Sequence, residues 1–412
     1  MNTRVVVTGM SGLTSLGDNW NQIQSNMRNK KTGIAVIEDW KKIEGLHTCL
    51  GGPILDFQLP AHFTRKQVRA MGRVAQLATV ATEAALKDAN LIENNTVLLS
   101  GRTGIAYGSC AGSSAPLADL ALIKTESTLR KITATTYIKA MSHTCAVNIA
   151  LFFKIVGRLI PTSSACTSGS QAIGYAYETI KNGYQDVMIA GGAEELCPSQ
   201  VAIFDTLYAT SLKNSTPQLT PKPFDKERDG LVIGEGACTL ILESLPHALA
   251  RGAAIYAEVV GFGTNCDANH ITQPCAAMMQ KAIELALQDA SLSPKDIGYV
   301  CAHGTATEQG DIAESHATHA VFGSHMPISS LKGYFGHTLG ACGAIESWLS
   351  IHMLNEKRFA PTINLNQIDP RCAALDYIMG TEREIDCHYI ASNNFAFGGV
   401  NTALIFKSYN KQ

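Results

Sequence analysis

The chain is poor in charge, has no closely paired cysteines and contains no long apolar run, and each shortage excludes a class of protein. Charged residues make up 17% of the 412 residues, the net charge is −2 and no long basic run is present, so an extended nucleic-acid surface is not expected. The 12 cysteines are scattered singly without a CxxC pair. This pattern is typical of free thiols in a reducing cytoplasm, rather than of a disulfide framework or a zinc site.

Signals for membranes and for export are also missing. No apolar stretch approaches the roughly 20 residues that cross a bilayer. The most apolar candidate, residues 149–160, is interrupted by Lys154 and Arg158. The amino terminus lacks the basic region, long apolar core and small-residue cleavage site of a secretory signal. We therefore expect a cytoplasmic protein without a transmembrane segment.

Apolar residues, by contrast, are abundant and regularly arranged. They make up 46% of a chain that exceeds the usual size of a single domain, so a large core is expected. β-Branched runs bounded by glycine alternate with alanine-rich helical patterns such as residues 73–89 and 168–182, as is typical of α/β layers. Residues 4–15 and 256–265 resemble each other as valine-rich strands entering a glycine turn, which hints at an internal duplication.

One cysteine, Cys166, stands among small residues in the segment SSACTSGS (163–170), where an apolar stretch gives way to a helical pattern near Thr167. A helix N-terminus carries roughly half a positive charge, so a thiol there is biased towards thiolate, the form that attacks thioesters. Free cysteine is more often a small buried hydrophobe. The motif alone leaves both interpretations open.

Two histidines further along strengthen the catalytic interpretation. His303 in AHGTAT (302–307) and His337 in GHTLGACG (336–343) each stand beside glycine after an apolar run. Both patterns indicate a strand end that enters a tight loop, the place where catalytic groups collect in α/β folds. Either histidine alone fits a core residue, but together with Cys166 they favour a catalytic set.

Further motifs extend over nearly the whole chain. They are VVVTGM at 5–10, GGAE at 191–194, PFDKERDG at 223–230, GEGA at 234–237, DANHIT at 267–272 and NNFAFGGVN at 393–401. With the three catalytic motifs in the same order, the chain resembles the elongating β-ketoacyl-acyl carrier protein synthases of the thiolase superfamily, in the type II branch of fatty-acid and polyketide systems.

The resemblance implies a thiolase-like α/β fold of five layers (αβαβα), built from two duplicated halves with two central sheets between helices. We place the boundary near residue 250. Cys166 then lies in an N-terminal half, residues 1–250, and His303 and His337 lie in a C-terminal half, residues 251–412.

The resemblance also implies a reaction, the synthesis of 3-oxoacyl carrier protein. Cys166 would take an acyl chain from a carrier thioester, because thiolate is both a good nucleophile and a good leaving group. A malonyl carrier then loses carbon dioxide, and neutral His303 and His337 would stabilise the enolate by donating N–H bonds. Neither a cofactor nor a metal ion is required.

Two further family residues match Lys332 and Glu314, which the resemblance pairs with each other in support of the histidine electrostatics. By sequence alone, each also fits a solvated surface charge. The oxyanion formed on acylation would be held by the backbone N–H groups of Cys166 and Phe397. Phe397 also matches the gate of the acyl pocket, although an aromatic core residue would look the same.

Partner contacts follow from the resemblance as well. Thr305 and Thr307 match hydroxyls that bond the pantetheine arm, with simple loop capping as the alternative. Because acyl carrier proteins are acidic, their docking surface should be locally positive. The family's contacts match Arg65, Lys66 and Arg69, although three charges at a helix start also fit a solvated face.

Oligomeric state and metal binding complete the expectations. The family implies a dimer, either a homodimer or a heterodimer with a related chain-length factor. His316 and His319 form an HxxH pair, but no third ligand is evident, and we expect exposed helix positions rather than a metal site.

Three departures from the housekeeping pattern bear on the substrate. Ala111 stands where elongating enzymes carry a bulky aliphatic residue near the end of the acyl pocket, and Ala396 and Val400 replace glycine and threonine in the last loop. The segment after Thr272 is shorter than is typical. These changes suggest a specialised enzyme that extends stiff unsaturated chains, as in aryl polyene or other polyketide pathways; housekeeping fatty-acid elongation is the alternative.

Rival families differ at identifiable positions. A thiolase would carry a second cysteine within residues 393–401, and an initiating synthase would have asparagine in place of one histidine. A chain-length factor, which is a non-catalytic partner, would lack Cys166. All three readings are therefore disfavoured by the sequence.

Overall fold

The computed structural model describes residues 3–409. The strands are β1 (Val5–Thr14), β2 (Ala35–Val36), β3 (Leu50–Gly52), β4 (Thr103–Gly108), β5 (Leu159–Thr162), β6 (Val187–Glu194), β7 (Ile233–Gly234), β8 (Gly236–Ser244), β9 (Ala257–Cys266), β10 (Ile297–Cys301), β11 (Pro327–Ser329), β12 (Arg358–Phe359), β13 (Asp376–Tyr377), β14 (Arg383–Glu384), β15 (Tyr389–Phe395) and β16 (Val400–Ser408). The α-helices are α1 (Trp20–Arg28), α2 (Arg65–Val68), α3 (Arg73–Asp88), α4 (Asn95–Leu98), α5 (Ser114–Thr125), α6 (Ala134–Ala140), α7 (Thr144–Phe153), α8 (Ser168–Lys181), α9 (Pro198–Asp205), α10 (Leu245–Ala250), α11 (Ala276–Ala290), α12 (Glu308–Phe322), α13 (Lys332–Phe335) and α14 (Cys342–Glu356).

The main sheet contains an internal duplication. Its order is β13-β11-β10-β15-β16-β9-β1-β8-β6-β4-β5. Outward from the centre, β1 pairs antiparallel with β8, and β8 pairs antiparallel with β6. The next two pairs, β6 with β4 and β4 with β5, are parallel. The strands β9, β16, β15, β10 and β11 repeat that series on the other side. The repeat expected from residues 4–15 and 256–265 thus corresponds to β1 and β9.

The two halves join where the sequence predicted two separate sheets. β1 pairs antiparallel with β9, with Val5 opposite Val259 and Val7 opposite Ala257, so the backbone hydrogen bonds run without a break from one half into the other. The boundary near residue 250 stays a prediction, because the sheet itself is continuous.

Helices form three layers around the two halves of the sheet. α8 and α14 pack against each other and contact strands of both halves, which makes them the central layer. α3 and α7 cover the outer face of the first half, and α11 packs with α12 on the outer face of the second. The order of layers is therefore αβαβα.

The sequence explains why these elements form layers. In α3 the residues Val74, Leu77, Ala81 and Ala85 are buried at helical spacing, so one face lies on the sheet. Strands β6 and β8 are buried along their whole length, as expected for strands covered on both faces. Within residues 3–409, no helix is both long and apolar enough to cross a membrane.

Candidate active site

The duplicated halves deliver the candidate catalytic residues from equivalent positions. His303 stands two residues beyond the end of β10, and Cys110 stands two residues beyond the equivalent strand β4. Cys166 lies between β5 and α8, and His337 lies between the equivalent elements β11 and α14. Since α8 and α14 pack together, the sulfur and the imidazole meet at the centre of the molecule.

Cys166 sits in a tight turn just before α8. Ala165 has a φ of +51°, in the left-handed region, and the backbone N–H of Ser168 bonds to the Ala165 carbonyl at 3.1 Å. Thr167 is the N-cap residue of α8, close to the predicted helix start. Cys166 is only 4% exposed, so its thiol is presented in a buried site.

The thiol contacts one imidazole directly. Cys166 Sγ lies 3.0 Å from His337 Nε2. On the other side of the ring, the backbone N–H of Leu339 approaches Nδ1 at 3.3 Å. Because Nδ1 accepts this bond, the proton of the neutral ring must be on Nε2, and that N–H points at the sulfur.

The second imidazole is held in the same tautomer by different groups. His303 Nδ1 lies 3.2 Å from Lys332 Nζ and 3.4 Å from Asn394 Nδ2. An ammonium group has no acceptor and the Asn394 amide donates towards Glu346, so His303 Nδ1 must accept and Nε2 must carry the proton. The two rings are perpendicular, with centroids 5.1 Å apart.

Burial keeps both rings neutral. It lowers the pKa of His303 and of His337 well below the ordinary histidine value, and the positive charge of Lys332 lowers both further. Burial also raises the pKa of the Cys166 thiol to about 11, although the backbone N–H groups of Phe397 and Cys166 act in the opposite direction. The thiolate bias expected from the helix terminus is therefore opposed by burial.

Lys332 is fully buried and uses its charge within a compact network. Its Nζ donates to the carbonyl oxygen of His303 at 2.5 Å and to Oε1 of Glu346, whose other oxygen accepts from Asn394 Nδ2 at 2.7 Å. The predicted pairing with Glu314 is wrong, because the carboxylate partner of Lys332 is Glu346. The Glu346 side chain reaches this network from α14 in the central layer.

Glu314 has a different contact. Its two carboxylate oxygens accept the backbone N–H groups of His303 and Gly304, each at 2.7 Å. Burial raises the pKa of Glu314 to about 8. Asp311, one turn earlier on α12, accepts the N–H groups of Thr305 and Ala306 in the same way. These two carboxylates fix the loop that carries His303.

A cavity of about 490 Å³ connects the three catalytic candidates with the surface. Its lining also includes Thr305, Thr307, Glu314 and Phe397. Thr305 and Thr307 share a hydroxyl contact of 2.9 Å, and Thr307 makes no side-chain cap bond to α12, which disfavours simple capping. Both hydroxyls are therefore available to a ligand in the cavity.

Phe397 closes one wall of the cavity. Its ring meets Phe204 of α9 edge to face, at a centroid distance of 5.9 Å. Gly398 and Gly399 follow with φ values of +91° and +80°, which favour glycine. The role of Phe397 as a gate stays a prediction.

The spacing of the central cluster resembles a metal site, but its surroundings do not. One ligand atom from each of Cys166, His303 and His337 lies within 4.8 Å of the others. A metal would bind Nε2, which requires the proton on Nδ1 and an acceptor beside it. Both Nδ1 atoms face donors instead, so the residues present do not fit a bound metal ion.

Comparison with protein families decides the assignment. The family models for the N-terminal and C-terminal domains of β-ketoacyl synthases match residues 2–248 and 256–366. The chain belongs to the β-ketoacyl synthase family. A 3-oxoacyl-[acyl-carrier-protein] synthase 2 from Synechocystis sp. is 36% identical, over 98% of each chain.

Solved structures agree with this assignment. A β-ketoacyl synthase from Burkholderia phymatum is 53% identical with a TM-score of 0.98, over 99% of this chain and all of that one. The ishigamide ketosynthase/chain length factor is 30% identical with a TM-score of 0.91, over the full length of both chains. The predicted thiolase-like fold and the predicted class of enzyme, a ketosynthase acyltransferase, are confirmed.

Other predicted residues lie away from the cavity of this synthase. Ala111 follows Cys110 in the loop after β4 and is not part of the described cavity lining, so its role in an acyl pocket stays a prediction. Arg65, Lys66 and Arg69 are exposed around the short helix α2, and none forms an ion pair with the described residues.

Another sequence prediction concerns the HxxH pair. His316 and His319 are exposed on α12, as expected, and His316 Nε2 contacts the Arg371 carbonyl at 3.0 Å.

Three functional neighbours were not foreseen from the sequence. Glu346 lies inside α14, a helix buried on nearly all sides, where a charged residue needs a partner. Asn394 lies in the buried strand β15, and a polar amide inside a strand is the signal that could have flagged it. Phe204 carried no signal, because nothing in the sequence distinguishes it from an ordinary aromatic packing residue.

Proposed function

We propose that this synthase condenses an acyl group held on Cys166 with malonyl carrier protein, releasing carbon dioxide and giving a 3-oxoacyl carrier. The observation that carries the proposal is the common tautomer of the two imidazoles, which lie beside the same thiol. Both N–H groups are on Nε2, and one of them lies 3.0 Å from the sulfur that would hold the acyl chain.

In the first step, the Cys166 sulfur attacks the thioester carbonyl and the pantetheine sulfur leaves with the thiol proton. The oxyanion forms beside the backbone N–H groups of Cys166 and Phe397. These groups already act on the thiol, since both lower its pKa. Donors fixed in this way stabilise the charge that develops in the transition state.

In the second step, the malonyl thioester loses carbon dioxide and its carbonyl oxygen becomes an enolate oxygen. The Nε2–H groups of His303 and His337 donate to that oxygen. The enolate carbon then bonds to the acyl carbon, and the Cys166 sulfur leaves as thiolate and takes up a proton from solvent. A neutral ring is the form that can donate without giving up its proton, and the lowered pKa values keep both rings in that form.

The carrier protein would approach by the cavity mouth. Thr305 and Thr307 line the cavity and would bond the pantetheine arm. Arg65, Lys66 and Arg69 provide exposed positive charge for an acidic carrier.

Dimerisation would use the free edge of β5. This strand pairs only with β4 among the described residues, and Leu159 in it, together with Leu151 and Val156 nearby, is exposed. An apolar edge strand is a template for pairing with another chain. The second subunit would be an identical chain or a chain-length factor. All 12 cysteines are free thiols, which supports a cytoplasmic location.

The proposed pathway is a specialised one that uses unsaturated chains. The resemblance implies that Ala111 would stand near the end of the acyl pocket, where elongating enzymes carry a bulkier residue. The solved ishigamide protein joins a ketosynthase with a chain length factor. The purified protein should be assayed with saturated and with polyenoic carrier thioesters, both alone and together with any homologue that is encoded next to it in the genome. We expect a preference for polyenoic chains; equal activity on saturated chains without a partner would favour housekeeping elongation.

A non-catalytic role as a chain-length factor is tested separately. After exposure to an acyl-carrier thioester, the intact protein should gain the mass of one acyl group on Cys166. A chain that gains no acyl mass would be a scaffold rather than an enzyme.

A further inference from the structure

The motif PFDKERDG (223–230) contains an arginine beside the catalytic cavity that has no part in the proposed chemistry. Arg228 belongs to the cavity lining, yet its side chain is only 2% exposed. A guanidinium buried to this degree is directed into the protein rather than towards a ligand. Its function therefore has to be sought in the groups that it holds.

The guanidinium of Arg228 binds the backbone at the start of α12. Its Nε donates to the carbonyl oxygen of Thr307 at 3.2 Å, and its Nη2 donates to that of Glu308 at 2.9 Å. Its charge is balanced by Asp369, which accepts from Nη1 at 2.6 Å, and by Asp311, whose carboxylate lies 3.6 Å from Nε. A planar guanidinium presents donors in all of these directions at once, which the point charge of a lysine does not.

The loop that Arg228 holds is strained. Ala306, between Thr305 and Thr307, has a φ of +65°, a region that is unfavourable for a residue other than glycine. Such a conformation persists only when its surroundings hold it. Asp311 holds the N–H of Ala306 at 3.1 Å, and Arg228 holds the carbonyl of the next residue. These backbone contacts therefore place the two threonine hydroxyls, which lie 2.9 Å apart.

We propose that Arg228 is the positioning residue that sets the hydroxyls of Thr305 and Thr307 to bind the amide groups of the pantetheine arm. This inference rests on the proposed function, which brings such an arm into the cavity. The carbonyl and N–H groups of the arm are hydrogen-bond partners of a hydroxyl. Arg228 acts through the backbone of the loop and touches neither the arm nor the reacting atoms.

The rate of Cys166 acylation separates recognition of the arm from the thioester chemistry. One short acyl group is offered as its pantetheine thioester and as its S-ethyl thioester, which has no amide, and single-turnover adduct formation is followed by mass spectrometry. Arg228→Lys keeps the charge but removes the planar fork. It should lower the ratio of the two second-order rate constants, pantetheine over S-ethyl, by about tenfold. The loss should lie in the half-saturating concentration of the pantetheine thioester rather than in the maximal rate.

A double-mutant cycle tests whether this loss depends on the two hydroxyls. Thr305→Val combined with Thr307→Val removes both hydroxyls with little change of shape, and Thr307 makes no side-chain cap bond to α12 that would be lost. In this background, Arg228→Lys should have no further effect on the ratio. The same tenfold loss in both backgrounds would contradict the proposal, because Arg228 would then act independently of the hydroxyls.

Arg251→Lys is the matched control. Arg251 also binds a carboxylate, that of Glu243, and a backbone carbonyl, that of Ala89 at 2.8 Å. Its side chain is 16% exposed, and it does not belong to the described cavity lining. The ratio of rate constants for Arg251→Lys should equal that of the unmodified protein.

A second variant keeps the test decisive if Arg228→Lys does not fold. Asp369→Asn weakens the ion pair that anchors the guanidinium, and it should lower the same ratio by a smaller factor. An unchanged ratio, or an equal loss with both thioesters, would overturn the positioning role. Absence of an adduct on Cys166 of the unmodified protein from either thioester would instead overturn the proposed function.

Discussion

The two halves of the molecule share one strand pattern but deliver opposite chemistry to the site. At the strand ends of the first half stand two thiols, Cys110 and Cys166, and burial raises the pKa of both. At the equivalent ends of the second half stand two imidazoles, His303 and His337, and burial lowers theirs. Burial thus favours the neutral form in every case, and a duplicated scaffold has diverged into a nucleophile side and a hydrogen-bond-donor side.

Loop length accompanies this divergence. Five residues, 163–167, separate β5 from α8, whereas twelve residues, 330–341, separate β11 from α14. The longer connection contains Lys332, the buried cation that acts on both imidazoles, and the first half has no charged residue in the equivalent connection. Local insertions can therefore change the electrostatics of one half without altering the strand order.

The largest expected effect is a difference in acylation between variants of the two thiols in the first half. Cys166→Ala should abolish the acyl adduct seen by mass spectrometry, because no other thiol has His337 Nε2 at 3.0 Å and the two backbone N–H groups around it. Cys110→Ala, which removes the neighbouring thiol at the end of β4, should still be acylated. An adduct that survives Cys166→Ala but disappears with Cys110→Ala would reverse this assignment.

The two histidines should differ in how much each step depends on them. His303→Ala and His337→Ala should each lower decarboxylation of malonyl carrier by about 10²–10³-fold, the usual cost of losing one fixed donor. Acylation should be spared relative to decarboxylation, and more so in His303→Ala, since only His337 contacts the sulfur. Carbon dioxide release and single-turnover acylation measure the two steps, and a loss confined to acylation would contradict the roles.

The charged network of the second half can be broken by Lys332→Met. This change leaves Glu346 buried without its cation and should destabilise the fold by about 3–5 kcal/mol in chemical denaturation. Lys332→Met combined with Glu346→Gln should recover most of that stability, whereas its decarboxylation activity should stay reduced but measurable.

The same variant has a pH signature. Burial and then Lys332 hold the pKa of His303 down, so removing Lys332 raises that pKa. The acid limb of the decarboxylation profile should move to higher pH in the stable double variant. An unchanged limb would show that Lys332 supports only the structure.

The smallest expected effect is on the pH dependence of stability, when one of two buried carboxylates is replaced. Burial raises the pKa of Glu314 to about 8, and the folded state therefore binds its proton more tightly than the unfolded chain does. Its contribution to stability is complete below about pH 4 and is lost as the pH rises through 8. Between pH 5 and 8, the unfolding free energy of the unmodified protein should fall more steeply than that of Glu314→Gln.

Glu194 in the first half provides the matching test. It accepts the backbone N–H groups of Cys110 and Gly340, and burial raises its pKa as well. Glu194→Gln should change the pH dependence in the same direction as Glu314→Gln. Urea denaturation at each pH gives the unfolding free energy of the unmodified protein and of the two variants. If this free energy changes with pH equally in all three proteins, neither carboxylate binds a proton on folding.

Sequence reasoning succeeded where a local pattern determines a local structure. The valine-rich repeats became β1 and β9, the helical pattern near Thr167 became α8, and the glycine beside His303 marked the end of β10. The strand end predicted before His337 is wrong, because His337 follows the short helix α13. The family resemblance then supplied the fold and the class of reaction, both of which the comparisons confirm.

It failed where a contact joins elements that are distant in the chain. The resemblance implied a pair between Lys332 and Glu314, but a resemblance between sequences does not show which side chains are in contact. The actual partner is Glu346, which reaches Lys332 because α14 packs in the central layer. The helix end alone predicts that Cys166 is biased towards thiolate. The degree of burial, which depends on the whole fold, acts in the opposite direction.

The hydrogen bonds between β1 and β9 have a consequence for biosynthesis. During synthesis, β1 cannot acquire its neighbour β9 until the chain has been extended past Val259. Until then, a valine-rich edge is open to other chains, and pairing over such a sequence distance is slow to form. Newly made protein should therefore depend on chaperones during this interval, and truncations shortly after β8 should aggregate rather than yield a stable half.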